Sequence, residues 1–355
     1  MTKELWKGNE AIAEAAIRAG VRCYFGYPIT PQSEIPEYLS LHLPEHGGTF
    51  LQAESEIAAI NMVYGAAGAG VRAMTSSSSP GIALKQEGIS YLCGAELPCL
   101  IVNCMRGGPG LGTIQPAQGD YFQATRGGGN GDYRTFVLAP ANVQEATEMV
   151  FEGFNLAEKY RMPAMILADG MIGQMMEPVE WPEHPPIDKV EKPWATTGTN
   201  NHEGRSIINS LYIEAEPCYE HNIHLDEKYH KIMETEVQYE IEGPEDAEVL
   251  LVAYGSPSRL ARAAAQILQK ENGIKTQVFR PITVWPFPYK QLHEAIINDS
   301  IKQVISVEMS MGQLIDDVKL AAEGAKPVSL VGTAGGVIPA PRQIAEAAIK
   351  ALGGK

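Results

Sequence analysis

Cys99-Leu-Ile-Val-Asn103 is almost wholly apolar, and it breaks at once into Met105-Arg-Gly-Gly-Pro-Gly-Leu-Gly112. A strand wetted on one face alternates apolar and polar residues. One that is apolar throughout is covered on both faces, as in a parallel sheet between helices. Val21–Phe25, Phe50–Gln52, Arg72–Thr75, Phe136–Leu138 and Ala164–Leu167 read the same way. Between them, helical patterns run over Asn9–Arg18, Pro31–Leu39, Glu54–Gly68, Gly81–Leu92 and Val143–Glu158. Asn142, with Glu145 three residues on, reads as an N-cap. This alternation predicts an α/β fold with a parallel sheet and helices on both faces. Its site is expected in the loops after the strands, at Gly26–Gln32, Ala53–Glu56, Ser76–Gly81 and Cys104–Asp120.

Outward from this unit the rhythm breaks at about residues 171–246, a stretch that opens rich in proline and ends acidic. It reads as a solvated connector with some helix. His221, His224 and His230 lie within it at a spacing that matches no standard ligand pattern, so solvated surface histidines are expected. A second α/β unit follows. Its strands are Val249–Tyr254, Thr276–Phe279, Gln303–Val307 and Val328–Val331, and its helices are Ser258–Lys270, Met311–Glu323 and Pro341–Leu352. The expected division is residues 1–240, connector included, and residues 247–355.

The chain of 355 residues is long enough for two well-buried cores. A formal charge of -15 disfavours nucleic acid and anionic membrane surfaces as partners. No apolar run reaches the length of a bilayer span, and the amino terminus reads as an amphipathic helix, so a cytoplasmic location is expected. Five cysteines without C-x-x-C spacing argue for free thiols and against an iron–sulfur cluster held by this chain.

No P-loop, H-E-x-x-H or G-x-S-x-G is present. Gly65-Ala-Ala-Gly68-Ala-Gly70 mimics a dinucleotide fingerprint, yet it closes a helix, so close packing is the expected reason for its small residues. Four loop segments carry candidate chemistry. In Tyr27-Pro-Ile-Thr-Pro31 two prolines fix the direction of Thr30, or Thr30 simply caps a helix beginning at Pro31. In Gln52-Ala-Glu-Ser-Glu56 the carboxylates either favour the helix N-terminus or place Glu56 against a dry cavity suited to proton exchange. The hydroxyls of Thr75-Ser-Ser-Ser-Ser79 either bind a polar ligand or cap the next helix. Arg106, among glycines, either pairs with an incoming carboxylate or makes a structural ion pair.

Taken in order, these segments resemble the α subunit of the 2-oxoacid:ferredoxin oxidoreductases. So do Gly8-Asn-Glu-Ala11, Gln115-Pro-Ala-Gln-Gly-Asp120, Arg280-Pro-Ile-Thr-Val-Trp-Pro-Phe-Pro288 and Val307-Glu-Met-Ser-Met-Gly-Gln313. The resemblance covers almost the whole chain. It implies a thiamine-diphosphate-binding-type first domain for the pyrimidine half of the cofactor, and a transketolase C-terminal-like second domain. It further implies that Glu56 contacts the pyrimidine N1′, that Pro28, Ile29 and Thr30 line the cofactor, and that Thr30 and Arg106 bind the substrate's carboxylate and keto oxygen. The implied partners are a β subunit carrying Mg²⁺ and a [4Fe–4S] cluster, a γ subunit, a ferredoxin-like subunit, ferredoxin and coenzyme A. Gly131-Asp-Tyr133 departs from the family's diphosphate–metal signature at its third place, so no metal is assigned to this chain. Relatives acting on 2-oxoglutarate resemble Arg-x-Gly-Pro-Ser-Thr-Gly where this chain has Gly110 and Leu111. Leu111 therefore points to a branched-chain 2-oxoacid, 3-methyl-2-oxobutanoate. 2-Oxoglutarate, pyruvate or an aryl pyruvate stand as alternatives, as do a transketolase-like transferase and a non-catalytic scaffold.

Overall fold

The computed structural model describes residues 3–199 and 204–353. Its strands are β1 (Glu4–Lys7), β2 (Cys23–Gly26), β3 (Thr49–Gln52), β4 (Ala73–Ser77), β5 (Cys99–Met105), β6 (Phe136–Leu138), β7 (Pro163–Asp169), β8 (Met176–Val179), β9 (Tyr239–Glu242), β10 (Val249–Val252), β11 (Thr276–Pro281), β12 (Thr283–Trp285), β13 (Gln303–Glu308) and β14 (Val328–Gly332). A seven-stranded sheet has the order β12-β6-β7-β5-β4-β2-β3, and a five-stranded sheet the order β14-β13-β10-β11-β9. All pairings from β2 to β7 are parallel. β5 and β7 are buried at every position, Asn103 and Asp169 included, as their near-continuous apolar character requires.

The chain passes from β3 back over β2 to β4, so the order reverses between β2 and β4. These two strands pair only at Cys23–Ala73 and Tyr24–Met74, and they separate toward their carboxyl ends. A crevice therefore opens at the topological switch point, where open α/β sheets bind ligands.

The helix expected from Pro31 begins instead at Glu34 and runs to Glu45. Pro31 and Gln32 are buried, and Gln32 is held from the sheet by Ser76, so the helix starts three residues later and Thr30 is not its cap. The acidic stretch is more ordered than its composition indicates. It holds β8, β9 and the helix Ala215–Thr235, which buries Leu225, Tyr229 and Ile232. His221 meets the Gly94 carbonyl, His224 meets Glu96, and His230 meets the Asp226 carbonyl. Gly65 has open space beside it, so close packing does not explain that glycine.

The two sheets are not independent. β12, from the carboxyl-terminal stretch, pairs antiparallel with β6 in the first sheet. Alternate positions of β10 divide between two cores. Leu250 and Val252 join the large core beneath the first sheet, whereas Val249 and Leu251 pack with Ile344 and Ala348 on the far side. Among the described residues no helix is long and apolar enough to cross a membrane.

Candidate active site

The helix Glu56–Gly68 starts at the crevice, and Ser55 caps it by accepting from Ala58 N at 3.1 Å. Capping is therefore done by a hydroxyl, and the Glu56 side chain is left for another task. It is only 7% exposed, whereas Glu54 faces solvent. The helix Ser79–Gly94 comes close at Gly81, where a Cβ would collide with Ser77 Oγ and stand 2.8 Å from Glu56 Oε1. Only glycine leaves room for this carboxyl.

The serines after β4 do not cap the next helix through their side chains. Ser77 and Ser78 keep buried hydroxyls without a partner, and so does the amide nitrogen of Gln32. Ser76 Oγ donates to Gln32 Oε1, which leaves Tyr24 as donor to Ser76 at 2.7 Å. The crevice thus holds one buried carboxyl and several orphaned polar atoms, the donor and acceptor set that a buried polar heterocycle would satisfy.

Arg106 lies at the end of β5 and is 9% exposed. Its Nη1 donates to the Thr30 carbonyl and its Nη2 to the Leu111 carbonyl, each at 3.0 Å. It joins the two loops through their backbones and has no ion pair among the described residues, while its Nε is buried without a partner. A guanidinium has five N–H donors, so capacity for an incoming anion remains. The Thr30 side chain is exposed, Pro28 is exposed, Ile29 is half-buried and Leu111 is 82% exposed.

Three further residues of the site region were given no individual role by the sequence, although Gln118 and Asp120 lie in the Gln115–Asp120 motif. Asp120 accepts from Ser79 Oγ at 2.6 Å and Asn103 Nδ2 at 2.9 Å, and burial raises its pKa. Ser79 Oγ in turn accepts from Arg106 N at 3.0 Å, so Asp120 fixes the main chain that carries the arginine. Gln118, fully buried, donates to the Tyr254 carbonyl and accepts from Met309 N, both at 3.0 Å, and locks the second sheet to the first. Lys85 is fully buried beside the crevice. A cavity of about 410 Å³ lies along this seam, between Ser79, Gly107–Gly110, Asp120 and the 309–313 loop.

Residues 14–242 match the family model for the thiamine-diphosphate-binding region of pyruvate flavodoxin/ferredoxin oxidoreductases. Residues 247–344 match pyruvate:ferredoxin oxidoreductase core domain II. The fold is that of the thiamine-diphosphate-binding α/β type, and the chain belongs to the 2-oxoacid:ferredoxin oxidoreductase family. It is 48% identical, over 98% of its length and 97% of the relative's, to ketoisovalerate oxidoreductase subunit VorB of Methanothermobacter thermautotrophicus. It is 37% identical, over 98% of its length and 100% of the relative's, to 2-oxoglutarate synthase subunit KorA of Methanocaldococcus jannaschii. Among solved structures, 2-oxoglutarate:ferredoxin oxidoreductase from Magnetococcus marinus superposes with TM-score 0.88 at 29% identity; the match covers 99% of this chain and 65% of that longer one. A split-gene transketolase shares the fold at TM-score 0.60 and 17% identity, over 98% of each chain.

Proposed function

We propose that this chain is the pyrimidine-binding subunit of a complex that oxidatively decarboxylates 3-methyl-2-oxobutanoate with coenzyme A, giving acyl-CoA, CO₂ and reduced ferredoxin. The observation that carries the reading is the buried Glu56 carboxyl at the switch point, with the unpartnered Ser77 hydroxyl beside it against Gly81. These residues fit the aminopyrimidine half of thiamine diphosphate. When bound, that cofactor supplies the electron sink for the carbon–carbon bond that breaks. Glu56 exchanges a proton with N1′ of the pyrimidine, in a pocket whose burial excludes water. Among the described residues no three His, Cys, Asp or Glu side chains group as a metal site. In this reading the diphosphate, its Mg²⁺ and a [4Fe–4S] cluster belong to a β subunit. A γ subunit and a ferredoxin-like subunit complete the complex.

Arg106 holds the substrate carboxylate with the N–H groups its loop contacts leave free, and the Thr30 hydroxyl orients the keto oxygen. That charge must bind without over-stabilising the ground state, because the carboxylate is lost in the reaction. Arg106→Lys is expected to lower catalytic efficiency on every 2-oxoacid by roughly 10–100-fold, the scale of a lost charged hydrogen bond. Thr30→Val keeps the backbone carbonyl that Arg106 grips, so its loss should be smaller. Steady-state kinetics of both variants check this, and wild-type efficiency in both would place the carboxylate elsewhere.

Substrate choice rests on Leu111 and on the greater identity to VorB than to KorA. A second carboxylate needs cationic or hydroxyl partners, since burying it unpaired is very costly. Leu111 instead offers apolar contact, worth about 0.8 kcal/mol per buried methylene. Discrimination among aliphatic acids should be at most roughly 10–200-fold per methylene, and rejection of 2-oxoglutarate stronger. Catalytic efficiencies of the assembled complex for 3-methyl-2-oxobutanoate, 4-methyl-2-oxopentanoate, pyruvate and 2-oxoglutarate test it. If 2-oxoglutarate is the best of the four, the reading of Leu111 is wrong.

A further inference from the structure

Lys85 is a buried cation that the mechanism above does not use. It sits one helical turn beyond Gly81, on the same face of the helix Ser79–Gly94, and Gly81 is the residue against which the Glu56 carboxyl packs. Its Nζ donates to Thr75 Oγ1 at 2.7 Å and to the Ser76 carbonyl at 3.0 Å. Thr75 Oγ1 donates onward to the Phe25 carbonyl at 2.6 Å, across the gap where β2 and β4 part. The ammonium is therefore tethered at the floor of the crevice, with one N–H beyond the two used.

Ionisable groups face it from two elements, Glu56 on the neighbouring helix and Cys99 on β5. Burial pushes the Cys99 thiol up to about 12, so that group is neutral, and Glu56 is the acidic group that faces the ammonium. Burial lowers Lys85 from the ordinary lysine value to about 7, and Glu56 opposes this shift.

We propose that Lys85 is a positioning residue for Glu56: its tethered ammonium balances the charge of the Glu56 carboxylate inside the crevice. The inference rests on the reading of Glu56 as the group facing N1′. When Glu56 hands its proton to N1′, the carboxylate left behind lies close to an ammonium in a dry site. Without that cation the same transfer leaves an unpaired buried charge, which disfavours it.

Two measurements test the proposal. The first needs no cofactor. Lys85 ionises near neutrality when folded and at the ordinary lysine value when unfolded, so the unfolded chain binds the extra proton between these limits. Stability then rises with pH across that window. In urea titrations of the full chain, the rise should begin near pH ~7 and be missing in Lys85→Met. In Glu56→Gln it should begin at least ~1 pH unit lower, because an opposite charge has been removed. An unmoved onset in Glu56→Gln would overturn the pairing.

The second uses the assembled complex loaded with thiamine diphosphate, following the near-ultraviolet circular dichroism of the pyrimidine tautomers against pH. Lys85→Met should lower the imino population at neutral pH at least ~10-fold, the equivalent of one pH unit. A wild-type profile in Lys85→Met, with Glu56→Gln altered, overturns the role of Lys85 alone. A wild-type profile in Glu56→Gln overturns the reading of Glu56, and the role of Lys85 with it. If Lys85→Met does not assemble, Thr75→Val removes one acceptor from the ammonium. Its profile should then shift to lower pH, and an unshifted profile counts against the proposal.

Discussion

Glu56→Gln is expected to lower turnover of the assembled complex at least ~10²-fold while leaving assembly intact, the usual scale of lost acid–base assistance. The amide has nearly the carboxyl's shape, so it should fit the space that Gly81 leaves beside Glu56. It can still touch N1′ but cannot give up or take a proton there. Exchange of the cofactor's C2 proton, followed by NMR, separates this step from substrate binding and electron transfer. Near-normal exchange in the variant would rule the role out. Gly81→Ala is a second route to the same result. Its Cβ would meet Ser77 Oγ and the Glu56 carboxyl, so it displaces the acid without changing its chemistry.

Arg280→Ala should cost the full chain about 2 kcal/mol of stability, below the range for breaking a fully buried ion pair because both carboxylate partners are partly exposed. Arg280 is 2% exposed, and its Nη1 meets Glu145 Oε2 at 2.6 Å. Its Nε makes a charge contact to Glu240 at 3.1 Å, without hydrogen-bond geometry. One side chain thus ties β11 to the helix Val143–Tyr160 of the first unit and to β9. Among the described residues, removing it leaves Glu145 with Ala141 N and Asn142 Nδ2 as hydrogen-bond donors. The carboxylate, 24% exposed, then loses its charged partner and is compensated only in part by water. Urea midpoints of wild type and variant measure the change, and a shift equivalent to less than ~0.5 kcal/mol would mean the pair is structurally neutral. The second sheet carries Met309, which Gln118 holds at the cavity seam, so reduced catalytic efficiency should accompany the loss.

How much of this was legible in the sequence depends on the range of the interaction involved. The β5 run Cys99–Met105 was readable because burial on both faces demands apolar residues throughout. Asn142 was readable as a cap because its side chain closes on Glu145 N, three residues away, at 2.8 Å. Glu56 stood out at a strand-to-helix junction, although only the structure shows Ser55 taking over the capping. The short strand Thr283–Trp285 went unread. It lies between Pro281 and Pro286, which argue against a strand, and its partner β6 lies far away in sequence. The helix Ala215–Thr235 was underestimated because its acidic composition masks the few positions it buries.

Local sequence specified most of the elements, their order and the loops where chemistry gathers, because periodicity, capping and turn residues act within a few positions. Tertiary structure alone decided that Arg106 grips the Thr30 and Leu111 carbonyls, that Gln118 joins the two sheets, and that Lys85 lies buried near Glu56. Most of these contacts join residues tens of positions apart. Each side chain there is selected by what the fold brings against it, and a lysine among helical residues reads the same whether it ends in water or beneath a carboxylate.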